Sequence, residues 1–421
     1  MAERQRVVIV GAGFGGLACA QALQRCPVDV VLIDRRNHHL FQPLLYQVAT
    51  AALSPAQIAQ PIRAILRDQK NCTVVLGEVT AVDVENRLVK GRNGELRYDQ
   101  IVLATGATHA YFGHDDWAKV APGLKSIEDA TAIRRKILAA FEKAEASFDP
   151  AEQSALLTFI VVGGGPTGVE MAGAIADLAR HTLKGEFRRI DPSRARIILA
   201  EGGDEILKAF PAKLSARAHR DLERLGVEVR TGEIIADCRE DGAMLGGAFI
   251  AARTIIWAAG VQASPAASWL GAAHDRAGRV IVGDDLTVPG HPEIFVIGDS
   301  AAATSADGSP VPGLAPAAVQ QGKHVAKTIA ARLAGKAPPG PFAYRNHGTM
   351  ATIGRAKAIA DFKHFRAAGF LAWLLWGLVH LMPLVGFRNR FIVACDWLWS
   401  YFTHERAVRL ITVTRASDSE I

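Results

Sequence analysis

The feature that most constrains this chain is a sequence pattern that occurs twice. An apolar run leads into a glycine-rich turn, a helical stretch follows, and a second apolar run ends in an acidic residue. The first copy passes from residues 7–10 through Gly11, Gly13 and Gly16 to Asp34. This order predicts a strand, a turn, a helix and a second strand, which is the βαβ unit that binds a dinucleotide. Two copies predict an α/β fold with two dinucleotide sites.

The glycines of the first copy have separate roles in such a unit. Gly11 permits the tight turn, Gly13 lets the backbone approach a pyrophosphate, and Gly16 lets the helix pack on the strand. The helix N-terminus adds amide donors and a partial positive charge for the phosphates. Asp34 is expected to accept hydrogen bonds from an adenosine ribose.

The second copy has the same order, from residues 159–162 through Gly163, Gly165 and Gly168 to Glu201. A carboxylate at this last position accepts hydrogen bonds from a ribose 2′-hydroxyl but repels a 2′-phosphate. Two glycines and an aspartate come next, so no arginine stands ready for such a phosphate. The second copy therefore predicts NADH rather than NADPH.

Three further apolar runs end in small-residue turns: Thr105 and Gly106, Ala259 and Gly260, and Gly298 and Asp299. We expect the first and third turns to join the N-terminal unit in holding non-covalent FAD, with Asp299 reaching the ribityl chain. The second turn is expected to join the NADH unit. An alternative for Asp299 is a helix N-cap, because Ser300 and several alanines follow it.

The length of the chain predicts several domains. With 421 residues, it is too long for one hydrophobic core. We predict an FAD-binding domain in two parts, residues 1–115 and 285–336, and an inserted NADH-binding domain at residues 116–284. Residues 337–421 are expected to form a C-terminal membrane-anchoring region.

The composition excludes several classes of protein. The formal net charge is +6, but no long Lys/Arg run or RNA-binding aromatic signature accompanies it, so no nucleic-acid partner is expected. The five cysteines are scattered without a CxxC pair, which argues against a disulfide scaffold, an iron–sulfur cluster and a metal site. The N-terminus has no signal-peptide pattern, so we expect the protein to stay on the cytoplasmic side.

The C-terminal region differs in character from the rest. Residues 367–387 carry no charge, whereas residues 391–402 are rich in aromatics and include Asp396. Three alternatives stay open: an anchor in the plane of the membrane surface, a single span, and a buried helix or dimer contact. We favour the in-plane anchor, because Pro383 and Gly386 break the longer run and Trp and Tyr prefer the headgroup level. Four arginines are expected to meet anionic lipid: Arg388, Arg390, Arg406 and Arg409.

Beyond the glycine turns, the sequence contains longer motifs at residues 41–50, 104–107 continuing to 111–114, 163–170, 295–299 and 312–322. Together these motifs resemble the type II NADH dehydrogenases, which are single-chain NADH:quinone oxidoreductases of bacterial and mitochondrial membranes. The resemblance covers essentially the whole chain. It implies a two-dinucleotide-binding-domain flavoprotein, similar to glutathione reductase, with a C-terminal amphipathic membrane-anchoring segment. It also implies hydride transfer from NADH to FAD and two electrons onward to a membrane quinone, without proton pumping.

Individual residues carry over from this resemblance by position. Glu170 matches an acid that the family places near the nicotinamide and the quinone, and Gln320 and Gln321 match its quinone-side glutamines. Ala318 lies in the same motif and is expected to contact FAD. Pro316 stands where some relatives have glutamine, so Gln320 and Gln321 are left to supply the side-chain amides of the quinone pocket. Alternatively, Glu170 is a solvated helix residue and the two glutamines are polar residues at the start of a helix.

The resemblance implies a peripheral protein on the cytoplasmic side of the inner membrane, in contact with the bilayer surface, and it leaves homodimer formation open. Two other functions stay open as alternatives. A soluble NAD(P)H-dependent flavin reductase of a redox partner protein would have a polar tail, and a redox-sensing flavoprotein would use NADH only to change shape. A sulfide:quinone oxidoreductase would need placed cysteines, which the sequence lacks.

Overall fold

Both glycine-rich patterns form the parallel strand pairs that the sequence predicts. In the first, Gln5–Val10 pairs in parallel with Val28–Asp34, and in the second, Thr158–Val162 pairs in parallel with Arg196–Glu201. The computed structural model describes residues 4–92, 94–363, 365–406 and 408–412.

The chain forms two units by packing. The first comprises Met1–Leu40, Ala59–Thr108 and Val261–Asn346, and the second comprises Phe41–Ile58, His109–Gly260 and His347–Ile421. Compactness and ligand binding are different properties, so the predicted boundaries of the functional domains stay a prediction.

The strands alternate with helices around the two glycine turns, and elsewhere several strands follow one another directly. In chain order they are β1 Gln5–Val10, β2 Val28–Asp34, β3 His38–Leu40, β4 Ala59–Pro61, β5 Cys72–Leu76, β6 Val79–Asp83, β7 Leu88–Gly91, β8 Gly94–Arg97, β9 Gln100–Leu103, β10 Ala107–His109, β11 Thr158–Val162, β12 Arg196–Glu201, β13 Val227–Thr231, β14 Ile235–Arg239, β15 Gly242–Leu245, β16 Ala248–Ala251, β17 Thr254–Trp257, β18 Val261–Ala263, β19 Val280–Ile281, β20 Thr287–Val288, β21 His291–Val296, β22 Ala301–Ala302, β23 Thr349–Gly354, β24 Lys357–Phe362 and β25 Phe365–Gly369.

The helices are of very unequal length. In chain order they are α1 Phe14–Ala22, α2 Leu45–Ala49, α3 Pro55–Ile58, α4 Ile62–Ile65, α5 Ile127–Ala146, α6 Pro150–Leu156, α7 Pro166–Asp177, α8 Ala212–Arg224, α9 Ala266–Leu270, α10 Ala315–Leu333, α11 Phe370–Leu381 and α12 Phe387–Thr403. Short 3-10 turns lie at Gln42–Leu44, Asp115–Lys119, Pro192–Arg194 and Gly298–Ser300, and a π-helical turn, Leu178–Thr182, continues α7.

The first unit is built on a six-stranded sheet in the order β20-β21-β9-β1-β2-β5. All its neighbouring strands are parallel except β20 and β21. Alternate residues of β1 face opposite sides, so Val7 and Ile9 join one buried core and Val8 joins another. Helices α1 and α10 cover the first side, and their backbones come so close that a methyl group at Gly322 would lie 2.2 Å from the carbonyl oxygen of Gly15.

The second unit contains a four-stranded parallel sheet in the order β13-β12-β11-β17. Its strand β11 is fully buried, as expected for a strand covered on both faces. Helix α7 follows β11 and also packs on the antiparallel sheet β23-β24-β25. A methyl group at Gly173 would lie 1.8 Å from the carbonyl oxygen of Ile353, so helix and strand are in direct backbone contact.

The uncharged stretch near the C-terminus does not form one continuous element. It begins in β25, continues as α11 and turns at the segment containing Pro383 and Gly386, where α12 begins. In the described part of the chain, no helix is long and apolar enough to cross a membrane.

One expectation about the tail is wrong. Arg406 does not face lipid headgroups, because its side chain is almost fully buried. It donates hydrogen bonds to the carbonyl oxygen of Thr50 at 2.7 Å and to Asp177 at 2.6 Å. Arg409 pairs with Glu186. A buried guanidinium needs such acceptors, and they attach the tail to α2 and α7.

Candidate functional site

Two glycines of the first turn are required by the fold itself. Gly11 has a φ of +99°, and a methyl group there would lie 2.3 Å from the carbonyl oxygen of Ala104. A methyl group at Gly16 would lie 1.9 Å from the carbonyl oxygen of Gly11. Helix α1 therefore packs against the turn with no room for a side chain.

Gly13 is different, because nothing in the fold excludes a side chain there. Its φ is −66°, and a methyl group would meet no protein atom within 4 Å. It stands at the N-cap of α1, where the described structure shows no side-chain cap for the first backbone amides. Free amides beside open space form an anion site, and the missing Cβ lets a pyrophosphate approach. The turn thus fits the phosphates of FAD.

The other residues expected to hold FAD lie around this turn in the first unit. The Asp34 carboxylate accepts from the amide of Ala12 at 2.6 Å, and Ala318 lies beside Gly298. Thr105 shares hydroxyl hydrogen bonds with Ser264 and Ser300, which join the turn at Gly106 to the turn at Asp299. Asp299 belongs to a 3-10 turn capped by Ile297, so the N-cap alternative for it is wrong.

The two glutamines predicted at the quinone have backbone partners in the first unit. Gln320 donates to the carbonyl oxygen of Arg345 and accepts from its amide, both at 2.9 Å. Gln321 is buried and accepts from the amide of Gly298 at 2.7 Å. The two glutamine side chains therefore fix the backbone before α10, at Gly298, and after it, at Arg345. A quinone role for them stays a prediction.

The second turn repeats the geometry of the first within the second unit. Gly163 has a φ of +109° and lies against Ala258 and Ala259. A methyl group at Gly168 would lie 1.8 Å from the carbonyl oxygen of Gly163. Gly165, like Gly13, has ordinary dihedral angles and no protein atom within 4 Å of an added methyl group. The second turn therefore also fits a pyrophosphate at a helix N-terminus.

Glu201 and Asp34 play matching parts in the two units. Glu201 accepts from the amide of Gly164 at 2.6 Å and from that of Gly203 at 2.7 Å. Each acid thus bonds the residue between the first two glycines of its turn and fixes the turn to the end of the second strand. Carboxylate oxygens have further lone pairs for ribose hydroxyls, whereas a 2′-phosphate would meet like charge.

Glu170 lies in the second turn of α7, near the backbone of Thr352 in β23, and the residue is partly buried. Burial raises the pKa of its carboxyl group to about 8, and a hydrogen bond from the backbone of Thr352 only partly opposes this. The group is therefore protonated at neutral pH and can donate or release a proton. This excludes the alternative of a freely solvated helix residue.

Tyr46 is a neighbour of Glu170 that the sequence pattern alone does not mark as a site residue. Tyr46 is buried, and its burial together with the nearby Glu170 raises its pKa well above the usual value. Gln47 donates to the Tyr46 hydroxyl oxygen at 2.9 Å and accepts from the indole of Trp397 at 2.7 Å. The motif at residues 41–50 contained these residues, but only the fold brings them to α7 and α12.

One group of side chains has metal-ligand types. Asp177, His181 and His404 have ligand atoms within 4.8 Å of one another. Burial alone would raise the pKa of Asp177, but hydrogen bonds and charges from His181 and Arg406 hold it well below its usual range. Arg406 bonds the Asp177 carboxylate, and Arg355 contacts His404. The group therefore serves to attach the tail to α7.

Known proteins match both parts of this arrangement. A family model for pyridine nucleotide-disulphide oxidoreductases matches residues 5–322, and one for the NDH2 C-terminal domain matches residues 346–404. A type II NADH:quinone oxidoreductase of Mycobacterium tuberculosis is 45% identical, over 98% of this chain and 92% of the relative. This chain belongs to the type II NADH:quinone oxidoreductases. An internal alternative NAD(P)H-ubiquinone oxidoreductase of Arabidopsis thaliana mitochondria is 30% identical over 95% of the chain and 84% of the relative.

Solved structures confirm the predicted fold class. NDH2 from Plasmodium falciparum in complex with NADH has a TM-score of 0.88 at 20% identity, covering 98% of this chain and all of that one. A sulfide:quinone oxidoreductase from Aquifex aeolicus has a TM-score of 0.71 at 16% identity, covering 96% of this chain and 92% of its own. At such identities the likeness extends to the fold, which type II NADH:quinone oxidoreductases share with other two-dinucleotide flavoproteins.

The open space at Gly165 predicts a separation of ligand binding from stability. We expect Gly165→Ala to change the free energy of unfolding by less than about 1 kcal/mol, since no protein atom opposes the methyl group. The dissociation constant for NADH, measured by fluorescence titration, should rise at least about tenfold, or about 1.4 kcal/mol. The control Gly168→Ala should lose about 1–3 kcal/mol of stability through overpacking. Unchanged NADH binding by Gly165→Ala would contradict this assignment.

The raised pKa of Glu170 predicts a pH-dependent stability. Its pKa is higher in the folded chain than the ordinary value of 4.5, so its favourable contribution is complete below pH 4.5 and is lost as pH rises to about 8. The melting temperature of Glu170→Gln relative to that of the wild type should rise across this pH window, and the difference should stay constant above it. The difference between their free energies of unfolding should change by no more than about 1.4 kcal/mol per pH unit. Glu142→Gln, at an exposed site, should show no such trend. Parallel curves for Glu170→Gln and wild type would rule out the raised pKa.

Proposed function

We propose that this chain oxidises NADH through non-covalently bound FAD and passes two electrons to a membrane quinone, without pumping protons. The observation that carries this proposal is the pair of open glycine positions, Gly13 and Gly165, each at an uncapped helix N-terminus. A flavin enzyme that takes electrons from a nicotinamide donor needs two dinucleotide-binding sites in one chain. The names of the Mycobacterium and Arabidopsis relatives supply the quinone as acceptor.

The protein residues bind and orient the two dinucleotides. The amides at the start of α7 hold the NADH pyrophosphate beside Gly165, and Glu201 accepts from the ribose hydroxyls. The turn at Gly13 and the acid Asp34 do the same for FAD, with Asp299 directed to its ribityl chain. When bound, FAD supplies the two-electron chemistry that links a hydride donor to a quinone. We assign FAD to residues 1–115 and 285–336 and NADH to residues 116–284.

Glu170 is suited to hold the second proton of the reaction. A quinone becomes a quinol by taking two electrons and two protons, and a hydride with its two electrons supplies only one of these protons. A carboxyl group whose pKa is about 8 is protonated at neutral pH and can release that proton at little cost. Water would then restore it. Glu170 thus acts as a general acid toward the quinone in this proposal.

Three of the five cysteines are poorly suited to the thiol chemistry of related flavoproteins. Burial raises the pKa of Cys19 to about 12, that of Cys72 to about 11 and that of Cys238 to about 12. Such thiols stay protonated and are poor nucleophiles. These three positions therefore favour neither disulfide reduction nor sulfide oxidation.

The tail supports peripheral binding to a bilayer surface. Helix α11 exposes Leu371, Leu374 and Leu378 along one face, and α12 exposes Phe391 and Phe402 in the same way. Exposed apolar stripes on neighbouring helices are the pattern of interfacial anchors. We propose that they lie on the cytoplasmic side of the inner membrane. The alternative is that a second copy of this chain covers the same apolar faces in a homodimer.

A turnover assay tests the proposed reaction. Full-length protein purified in detergent should show an oxidised flavin spectrum that bleaches with NADH and returns with ubiquinone-1 over many turnovers. NADH should outperform NADPH at equal concentration, because Glu201 repels a 2′-phosphate. A single stoichiometric reduction would instead indicate a redox sensor. Turnover with ferricyanide but not with quinone would favour reduction of a protein partner.

Charge placed on the tail stripes tests the membrane proposal. The double variant Leu378→Glu/Phe402→Glu should sediment with vesicles containing anionic lipid at least about tenfold less than the wild type, since burying two carboxylates in lipid is costly. Its NADH:ferricyanide activity should be retained. The control Phe148→Glu alters an exposed phenylalanine outside the tail and should bind vesicles normally. Unaltered sedimentation of the double variant, with loss of a dimer in solution, would assign the stripes to self-association.

A further inference from the structure

The indole N–H of Trp376 is buried, and none of the described residues accepts a hydrogen bond from it. Trp376 lies in α11 and is 3% exposed, and its Nε1 is enclosed without a hydrogen-bond partner. A buried N–H that has lost water and gained no acceptor is unfavourable, so such groups are uncommon in folded proteins, and a ligand or an ordered water is the usual missing partner. Phenylalanine could fill such a buried position without an N–H group to satisfy, so the tryptophan suggests that its N–H has a partner.

The neighbouring tryptophan shows the ordinary arrangement. Trp397 in α12 lies beside Trp376, with ring centroids 5.4 Å apart, and donates its N–H to Gln47 at 2.7 Å. One indole of the pair is therefore satisfied by the protein, and the other is not. This contrast separates a structural donor from one that awaits an acceptor.

The surroundings of Trp376 are rich in donors and flat rings. Its ring lies 6.5 Å from that of Tyr46 and stacks on His380 at 4.4 Å. The Tyr46 hydroxyl accepts from Gln47 and also shares a hydrogen bond with the side chain of Thr352, so both of its partners come from the protein. Glu170, close enough to perturb Tyr46, adds a carboxyl proton. A complementary ligand must offer acceptors on a planar, mainly apolar body.

We propose that Trp376 donates a hydrogen bond from Nε1 to a carbonyl oxygen of the quinone head group and thereby selects a carbonyl-bearing acceptor. The inference rests on the proposed quinone reductase activity and adds a binding residue to it. A quinone has the required planar ring and two carbonyl acceptors. Its oxygens gain negative charge on reduction, so an N–H donor favours the reduced state more than the oxidised one.

Replacement of the indole tests this assignment. In Trp376→Phe, kcat/KM for ubiquinone-1 should fall by about tenfold, which corresponds to about 1.4 kcal/mol. The NADH:ferricyanide rate should stay within about twofold of wild type, since ferricyanide offers no carbonyl for this bond. The carbonyl stretch of ¹³C-labelled ubiquinone-1 bound to the variant should move to higher frequency in infrared difference spectra. The control Trp397→Phe should reduce thermal stability by losing its bond to Gln47.

A second substitution removes only the N–H. Placing 3-benzothienylalanine at position 376 keeps the ring shape and replaces the N–H by sulfur, so packing is preserved. The same loss with ubiquinone-1 is expected, with flavin content and melting temperature close to wild type. Wild-type kcat/KM and carbonyl frequency in this protein would overturn the inference. If the wild type itself fails to reduce ubiquinone-1, the proposed function fails instead, so the two failures are distinguishable.

Discussion

The structure depends on direct backbone contact inside two glycine turns. In each turn the third glycine lies against the carbonyl oxygen of the first, so helix and strand meet with no side chain between them. This contact fixes the direction of α1 and α7, and therefore where their free amides point. A carboxylate then bonds each turn to the end of the next strand, Asp34 in one unit and Glu201 in the other. Phosphate binding is thus a property of backbone that packing has already positioned.

Much of the fold could be predicted from the sequence because it rests on local patterns. Strand, turn, helix and acid follow one another within about 40 residues, and each step has a residue signature. The residues predicted to hold FAD, and those predicted to hold NADH, assemble accordingly within their own units. The distinction between Gly13 and Gly16 could not be read from the motif, since it depends on which backbone atoms lie within reach.

The surroundings of Glu170 lay beyond local reasoning. Tyr46 is 124 residues before it and Thr352 is 182 residues after it. The packing of α7 on both α2 and β23 brings them together and partly buries the carboxyl group, which raises its pKa. The error over Arg406 has the same origin. A sequence near exposed aromatics suggests lipid contact, whereas the acceptors that bury this guanidinium come from α2 and α7.

Helix α7 also bears on how such a chain can evolve. It is about 18 Å long and carries the NADH turn at one end and Asp177, the partner of Arg406, at the other. Between them, Gly173 touches the first strand of the C-terminal sheet. The C-terminal region is consequently no interchangeable module. A chimera that takes its C-terminal region from a relative would place a mismatched surface against α7 unless α7 is exchanged as well. Helix α7 and the C-terminal region must therefore diverge together in evolution.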